Sequence, residues 1–196
     1  MQEISELRFN AIAGYARDPR AVLTGEEIGY YETEDGSILG LIIRDRTDDD
    51  FAGMAFGRDA KRRFRWTSMT DFLQSSEQAH DALSGLMANL LDEPDEFHHQ
   101  GDEKGAPVDF FTPVHAPDAL HPDFHRVASE SVFFSARGII EPMMRWHEDL
   151  DGNFVEQFQS TAFDQRIWEL YLFATLTELG FALNTTHAVP DFIGGS

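Results

Sequence analysis

Apolar and polar positions alternate on both sides of one Asp-Gly pair in the first third of the chain. Residues 26–34 and 37–44 flank Asp35-Gly36, a dipeptide suited to the positive φ angles of a two-residue type I′ turn, so the spacing predicts a β-hairpin. Counting outward from the turn sets Glu32 against Leu39, Tyr30 against Leu41 and Ile28 against Ile43, which places Ile28, Tyr30, Leu41 and Ile43 on one face. Asp48-Asp49-Asp50 turns the chain into a third strand over residues 51–58. Residues 61–67 return beside it, with Trp66 opposite Gly53 and Phe64 opposite Ala55, and complete a four-stranded antiparallel meander.

From residue 75 the period of the pattern changes from that of a strand to that of a helix. Ser75 and Gln78 have the spacing of a capping box, and Ala79, Ala82, Leu83, Leu86 and Leu90 recur at helical intervals, with Pro94 beyond the end. Residues 93–120 hold four prolines and two glycines with no periodicity. They read as a long surface connection between an N-terminal part, residues 1–92, and a C-terminal part, residues 121–196. In the latter a short helix begins at Pro122, a second element covers residues 136–147, and residues 149–153 form a turn. The last helix takes Thr161 as its cap and Asp164 in its first turn, where a carboxylate suits the positive end of the helix dipole. Phe163, Ile167, Leu170, Tyr171 and Ala174 make one stripe on it, and Trp168, Leu172, Leu176 and Leu179 a second, so it is expected to be buried. Gly180 stops it, and residues 181–184 are short enough for a strand. The expected class is α+β, an antiparallel meander followed by a mostly helical half.

With 17 Phe among 196 residues and 42% hydrophobic content, the chain has ample material for a packed core. No cysteine is present, which excludes disulfides, thiolate metal sites and cysteine nucleophiles. The first residues do not resemble a signal peptide and no apolar run reaches a membrane span, so a cytoplasmic location is expected and a membrane association is not. The net charge of -20 is uneven: residues 1–67 carry -3 and residues 68–196 carry -17. Such a surface repels phosphate, so any binding of nucleic acid is expected to be weak. The acidity suits solubility or a salt-adapted source, and equally a basic protein partner.

Several groupings bear on chemistry. The eight histidines are poorly spaced for metal: His98-His99 lies in the long connection, His121 and His125 share a helical face only if their helix begins before Pro122, and His147 stands beside acidic residues. Asp149, Asp151 and Asn153 alternate as in a calcium loop, but the twelfth position has no carboxylate and the pattern fails. Arg58, Lys61, Arg62, Arg63 and Arg65 are concentrated around Phe64 and Trp66, yet strand alternation sends the arginines of the strand to one face and the aromatics to the other. This reads as a charged edge strand or a phosphate-contacting hairpin. Glu169 is the lone carboxylate in the central turns of the last helix and must be paired, neutral or bound to a cation. Arg166, three residues earlier, offers an ion pair. Asp191, one short strand and a turn later, offers a second carboxylate with which Glu169 can hold Mg²⁺.

The stretch from Phe163 to Phe192, with its apolar acid-bearing helix, short strand and Pro190-Asp191-Phe192, resembles the opening of the core of PD-(D/E)xK nucleases and a group of uncharacterised bacterial proteins. The resemblance implies a metal-dependent nuclease-like function with Glu169 and Asp191 as catalytic carboxylates and metal ligands. Ile193-Gly194-Gly195-Ser196 supplies neither the second strand acid nor the lysine, so the chain corresponds to a truncated or inactive member and is not expected to cleave nucleic acid. It also leaves the 181–184 strand without a partner, an edge open to self-association through the C-terminal segment. The alternative is a noncatalytic acidic interaction protein that binds a basic protein.

Overall fold

The computed structural model describes residues 1–17, 24–147, 149, 152–179, 181–184 and 193–195. The chain forms two compact units, Met1–Pro107 and Val108–Ser196, and its class is α+β. Among the described residues no helix is long and apolar enough to cross a membrane.

An antiparallel sheet organises the first unit, with β1 (Gln2–Glu3), β2 (Gly25–Glu32), β3 (Leu39–Asp45), β4 (Phe51–Arg58) and β5 (Phe64–Met69) adjacent in chain order. Glu32 faces Leu39 and Tyr30 faces Leu41, as the turn position predicts. The turn itself is wider than a type I′ turn. Thr33 N–H donates to Ile38 C=O at 3.0 Å, Gly36 N–H donates to Thr33 C=O at 2.9 Å, and of the turn residues only Gly36 has positive φ, at 67°. The Asp35 carboxylate accepts from the Thr33 hydroxyl at 2.6 Å and the Ser37 hydroxyl at 2.8 Å. Those two bonds hold the carboxyl below its usual range, and they supply the turn with side-chain partners that a two-residue loop has no room for. Farther out, a bulge between Glu27 and Gly29 pairs Glu27 with Ile43 and displaces Ile28, which is 41% exposed and does not join the expected apolar face.

The β4–β5 register also differs from expectation. Phe64 faces Arg58 and Trp66 faces Phe56, with a bulge between Ala55 and Phe56. The cause is Asp59, which is buried and whose Oδ1 accepts from the Lys61 and Arg63 N–H groups at 2.9 Å while Oδ2 accepts from Arg63 Nε at 2.8 Å. Asp59 N–H donates back to Arg63 C=O at 2.9 Å, closing a tight turn that pulls β5 along β4.

Helices cover both faces of this sheet. The short α1 (Glu6–Ala13), capped by Ser5, sets Phe9, Ile12 and Ala13 against Leu39, Leu41, Phe56 and Phe64. At eight residues it is too brief to show a clear helical period in the sequence. On the other face α2 (Ser76–Leu91) begins at Ser75 as expected, the hydroxyl accepting from Gln78 N–H at 3.2 Å, and buries Ala79, Leu83, Met87 and Leu90 against Ile38, Ile42 and Ala55. Gly53 permits the close approach: a β-carbon there would lie 2.7 Å from Leu83 Cβ.

The second unit contains α3 (Pro122–Ser129), α4 (Phe134–Trp146), α5 (Phe154–Gln159) and α6 (Phe163–Glu178), followed by the antiparallel pair β6 (Ala182–Asn184) and β7 (Ile193–Gly195). Its core is aromatic, with Phe110, Phe124, Phe154, Phe158 and Phe163 packed around Met144 and Leu170. The segment between α2 and α3 is exposed along most of its length, and two of its side chains anchor it. His98 is buried in a 3₁₀ turn of the first unit, and Phe110 is buried in the core of the second. Gln159, fully buried, draws in the latter part: its amide donates to the carbonyls of Phe110 at 3.0 Å and Thr112 at 2.9 Å, and its side-chain oxygen accepts from Val114 N–H at 2.8 Å. All of its principal hydrogen-bonding groups are thereby used.

Three expectations about the C-terminal end need correction. The cap of α6 is Ala162 rather than Thr161, without a side-chain hydrogen bond. The helix is not buried all round, because Phe163, Ile167 and Leu170 face the aromatic core while Trp168 and Tyr171 are 58% and 56% exposed and stack on each other at 5.4 Å. The strand after α6 has a partner, since Ala182, Leu183 and Asn184 face Gly195, Gly194 and Ile193.

Candidate functional site

Glu169 projects from the middle of α6 toward the residues that follow α4. One carboxylate oxygen lies 3.0 Å from His147 Nε2, and the other accepts from Arg166 Nη1, the expected partner one helical turn away. Arg166 in turn donates through Nη2 to Asn153 Oδ1 at 2.8 Å and Gln157 Oε1 at 2.7 Å, and its guanidinium lies over the Phe154 ring. His147 is held between Phe154 and Phe173, with ring centroids 5.0 and 5.6 Å away. Burial pushes the Glu169 carboxyl up, but the hydrogen bonds and charges of His147 and Arg166 outweigh it, and the group titrates below the ordinary glutamate range. The network ties α6 to the start of α5 and the end of α4, and Asp149 supports it by accepting from Gly152 and Phe154 N–H at 2.9 and 3.0 Å.

Asp191, with Pro190 and Phe192, lies outside the described residues. What is described on either side is α6, β6 and the start of β7 two residues after Asp191. Among the described residues no three His, Asp or Glu side chains are grouped as a metal site. Both oxygens of Glu169 face cationic or proton-donating groups, so a cation there would meet the charge of Arg166 at close range, although each oxygen keeps a further lone pair.

The other predicted groupings are absorbed by packing. Arg63 pairs with Asp59 at 2.7 Å and Arg65 with Asp102 at 3.1 Å, while Arg58 lies over the Phe64 ring at 4.2 Å, so these three cations each have a partner within the first unit. His121 is the cap of α3, accepting from Asp123 N–H and stacking on Phe163. Burial lowers the His98 imidazole below its usual value where it packs over the bare backbone of Gly57.

The first unit contains a cleft of about 410 Å³ that sequence reasoning missed. Its floor is the sheet face bearing Leu41, Ile43, Met54 and Phe56, beyond the end of α1. Trp66, Met69 and Phe72 flank it and are 48%, 41% and 45% exposed. One end is polar: Glu27 pairs with Arg17 at 2.7 Å and accepts from the Tyr30 hydroxyl at 3.1 Å, with Asp45 nearby in the lining. Burial, followed by the charge of Glu27, keeps Tyr30 protonated far above the usual phenol range. Alternation in β3, β4 and β5 signalled the apolar face, but the shifted β5 register decided which side chains meet there. Comparison with known proteins found no matching family model, curated protein or solved structure.

Proposed function

We propose that the second unit carries the opening part of a metal-dependent, nuclease-like core. The observation that supports this reading is the succession of the acid-bearing α6 and the short strand β6, with Asp191 following in the sequence. That is the order in which the resembled nucleases present a helix, often acid-bearing, and then strands that carry an Asp. In this reading Asp191 is the candidate metal ligand. Glu169 fastens α6 through His147 and Arg166, and its remaining lone pairs make it the second candidate ligand. The metal would supply water activation and charge stabilisation at phosphate.

Mn²⁺ titration followed by NMR tests the proposal. Paramagnetic broadening is expected around residues 193–195 and should vanish in Asp191→Asn, while the 196-residue chain leaves DNA and RNA uncut. Broadening indifferent to Asp191→Asn, or cleavage that survives it, would overturn the assignment.

A further inference from the structure

The cleft of the first unit has no part in the nuclease-like reading. Its volume of about 410 Å³ is in the range of ligand sites, and its composition, an apolar floor with a few polar groups gathered at one end, is that of a recognition pocket. Trp66, Met69 and Phe72 form a continuous half-exposed apolar rim, which single scattered surface residues do not. Tryptophan offers a large face to apolar groups and cations, and methionine adapts to side chains of different shape.

Charge decides between ligands. The lining itself carries Glu27 and Asp45 against Arg17, and Arg46, Asp48, Asp49 and Asp50 follow in the next turn, while the Glu26–Arg44 pair lies on the opposite face of the sheet by strand alternation. Arg17 is neutralised by Glu27, and Arg44 pairs with Glu26 at 3.7 Å and also with Asp49. The excess is therefore negative in a chain of net charge -20, which disfavours a fatty acid or another anion and favours a cationic partner.

We infer that this cleft docks a short basic peptide segment of a partner protein, with an aromatic or aliphatic anchor seated on Leu41, Met54 and Phe56 and flanking lysines or arginines facing the acidic end. The rim of Trp66 and Met69 closes over the anchor, and the steering comes from the surrounding carboxylates.

Fluorescence anisotropy with a short labelled peptide, in which Phe and Leu three positions apart are flanked by lysines, tests this on the full chain. Saturable binding is expected, weakening as salt rises. Affinity should fall by about tenfold or more when glutamates replace the lysines, or alanines the Phe and Leu. Trp66→Ala and Met69→Lys, both at half-exposed positions, should each produce a loss of similar size, about tenfold, with the circular dichroism spectrum unchanged. Equal affinity of the wild-type chain and both variants would overturn the proposal in favour of diffuse charge attraction. Saturable binding of laurate with none of the lysine peptide would overturn it in favour of a lipid site.

Discussion

The two units solve the same problem by different means. In the first, a continuous backbone ladder carries five strands, and apolar side chains on its two faces meet α1 and α2 at separate clusters. In the second, short helices lie around a pool of phenylalanines, and side-chain hydrogen bonds from Gln159 and Arg166 hold the intervening segments. A ladder repeats its pairing at every residue, so its pattern is printed along the chain. A phenylalanine cluster assembled from separate segments has no such period, and its specificity rests on a few polar side chains that make several bonds each.

This contrast is broken most severely by cutting into the aromatic pool. Phe158 is fully buried and contacts Phe111, Phe124, Phe154 and Phe163 through ring pairs of 5.3 to 6.1 Å. Phe158→Ala should cost about 3–5 kcal/mol, and hydrogen exchange should report lost protection in α3, α5 and α6 with the five-stranded sheet retained. Loss of protection in the sheet to the same degree would contradict the separation of the two cores.

A smaller effect is expected at Glu169, whose network substitutes for a backbone ladder. Glu169→Gln removes the charge shared by His147 and Arg166 and should cost about 2–3 kcal/mol at neutral pH. The sign of the pH dependence follows from the lowered titration of the folded carboxyl. Its stabilisation is complete above the unfolded glutamate value of 4.5 and is lost as pH falls through the lower folded value. Acid unfolding curves of the second unit should therefore be shallower in Glu169→Gln below pH about 4.5 than in the wild type. Parallel curves would show that the carboxylate is not held as described.

The smallest of the three lies in the ladder itself. Gly53→Ala places a methyl 2.7 Å from Leu83 Cβ and should cost about 1–3 kcal/mol as α2 shifts off the sheet, readable in chemical denaturation. No loss of stability would mean that the helix sits less tightly on β4 than the geometry requires.

How much could be read beforehand follows the same division. The β2–β3 hairpin, the cap and buried stripe of α2, the start of α3 at Pro122 and the Arg166–Glu169 pair were all legible, since each depends on residues a few positions apart. The Glu27–Gly29 bulge, the β5 register and the open face of α6 were not, because each depends on what packs opposite. Asp59 illustrates the limit: in sequence it is one acid beside a basic run, and only when buried does it gather Lys61, Arg63 and their backbone into the turn that moves a whole strand.

The sequence alone determined the α+β class, the succession from β2 through β5 to α2, and the acidic charge, because these are sums over local propensity, period and composition. Tertiary structure alone decided that Glu169 is shared between Arg166 and His147, a residue 22 positions away in the chain, and that Leu41, Met54, Phe56 and Trp66 surround one cleft. Burial and charge pairing act through distance in space, and for residues on different elements that distance is set only when the elements pack.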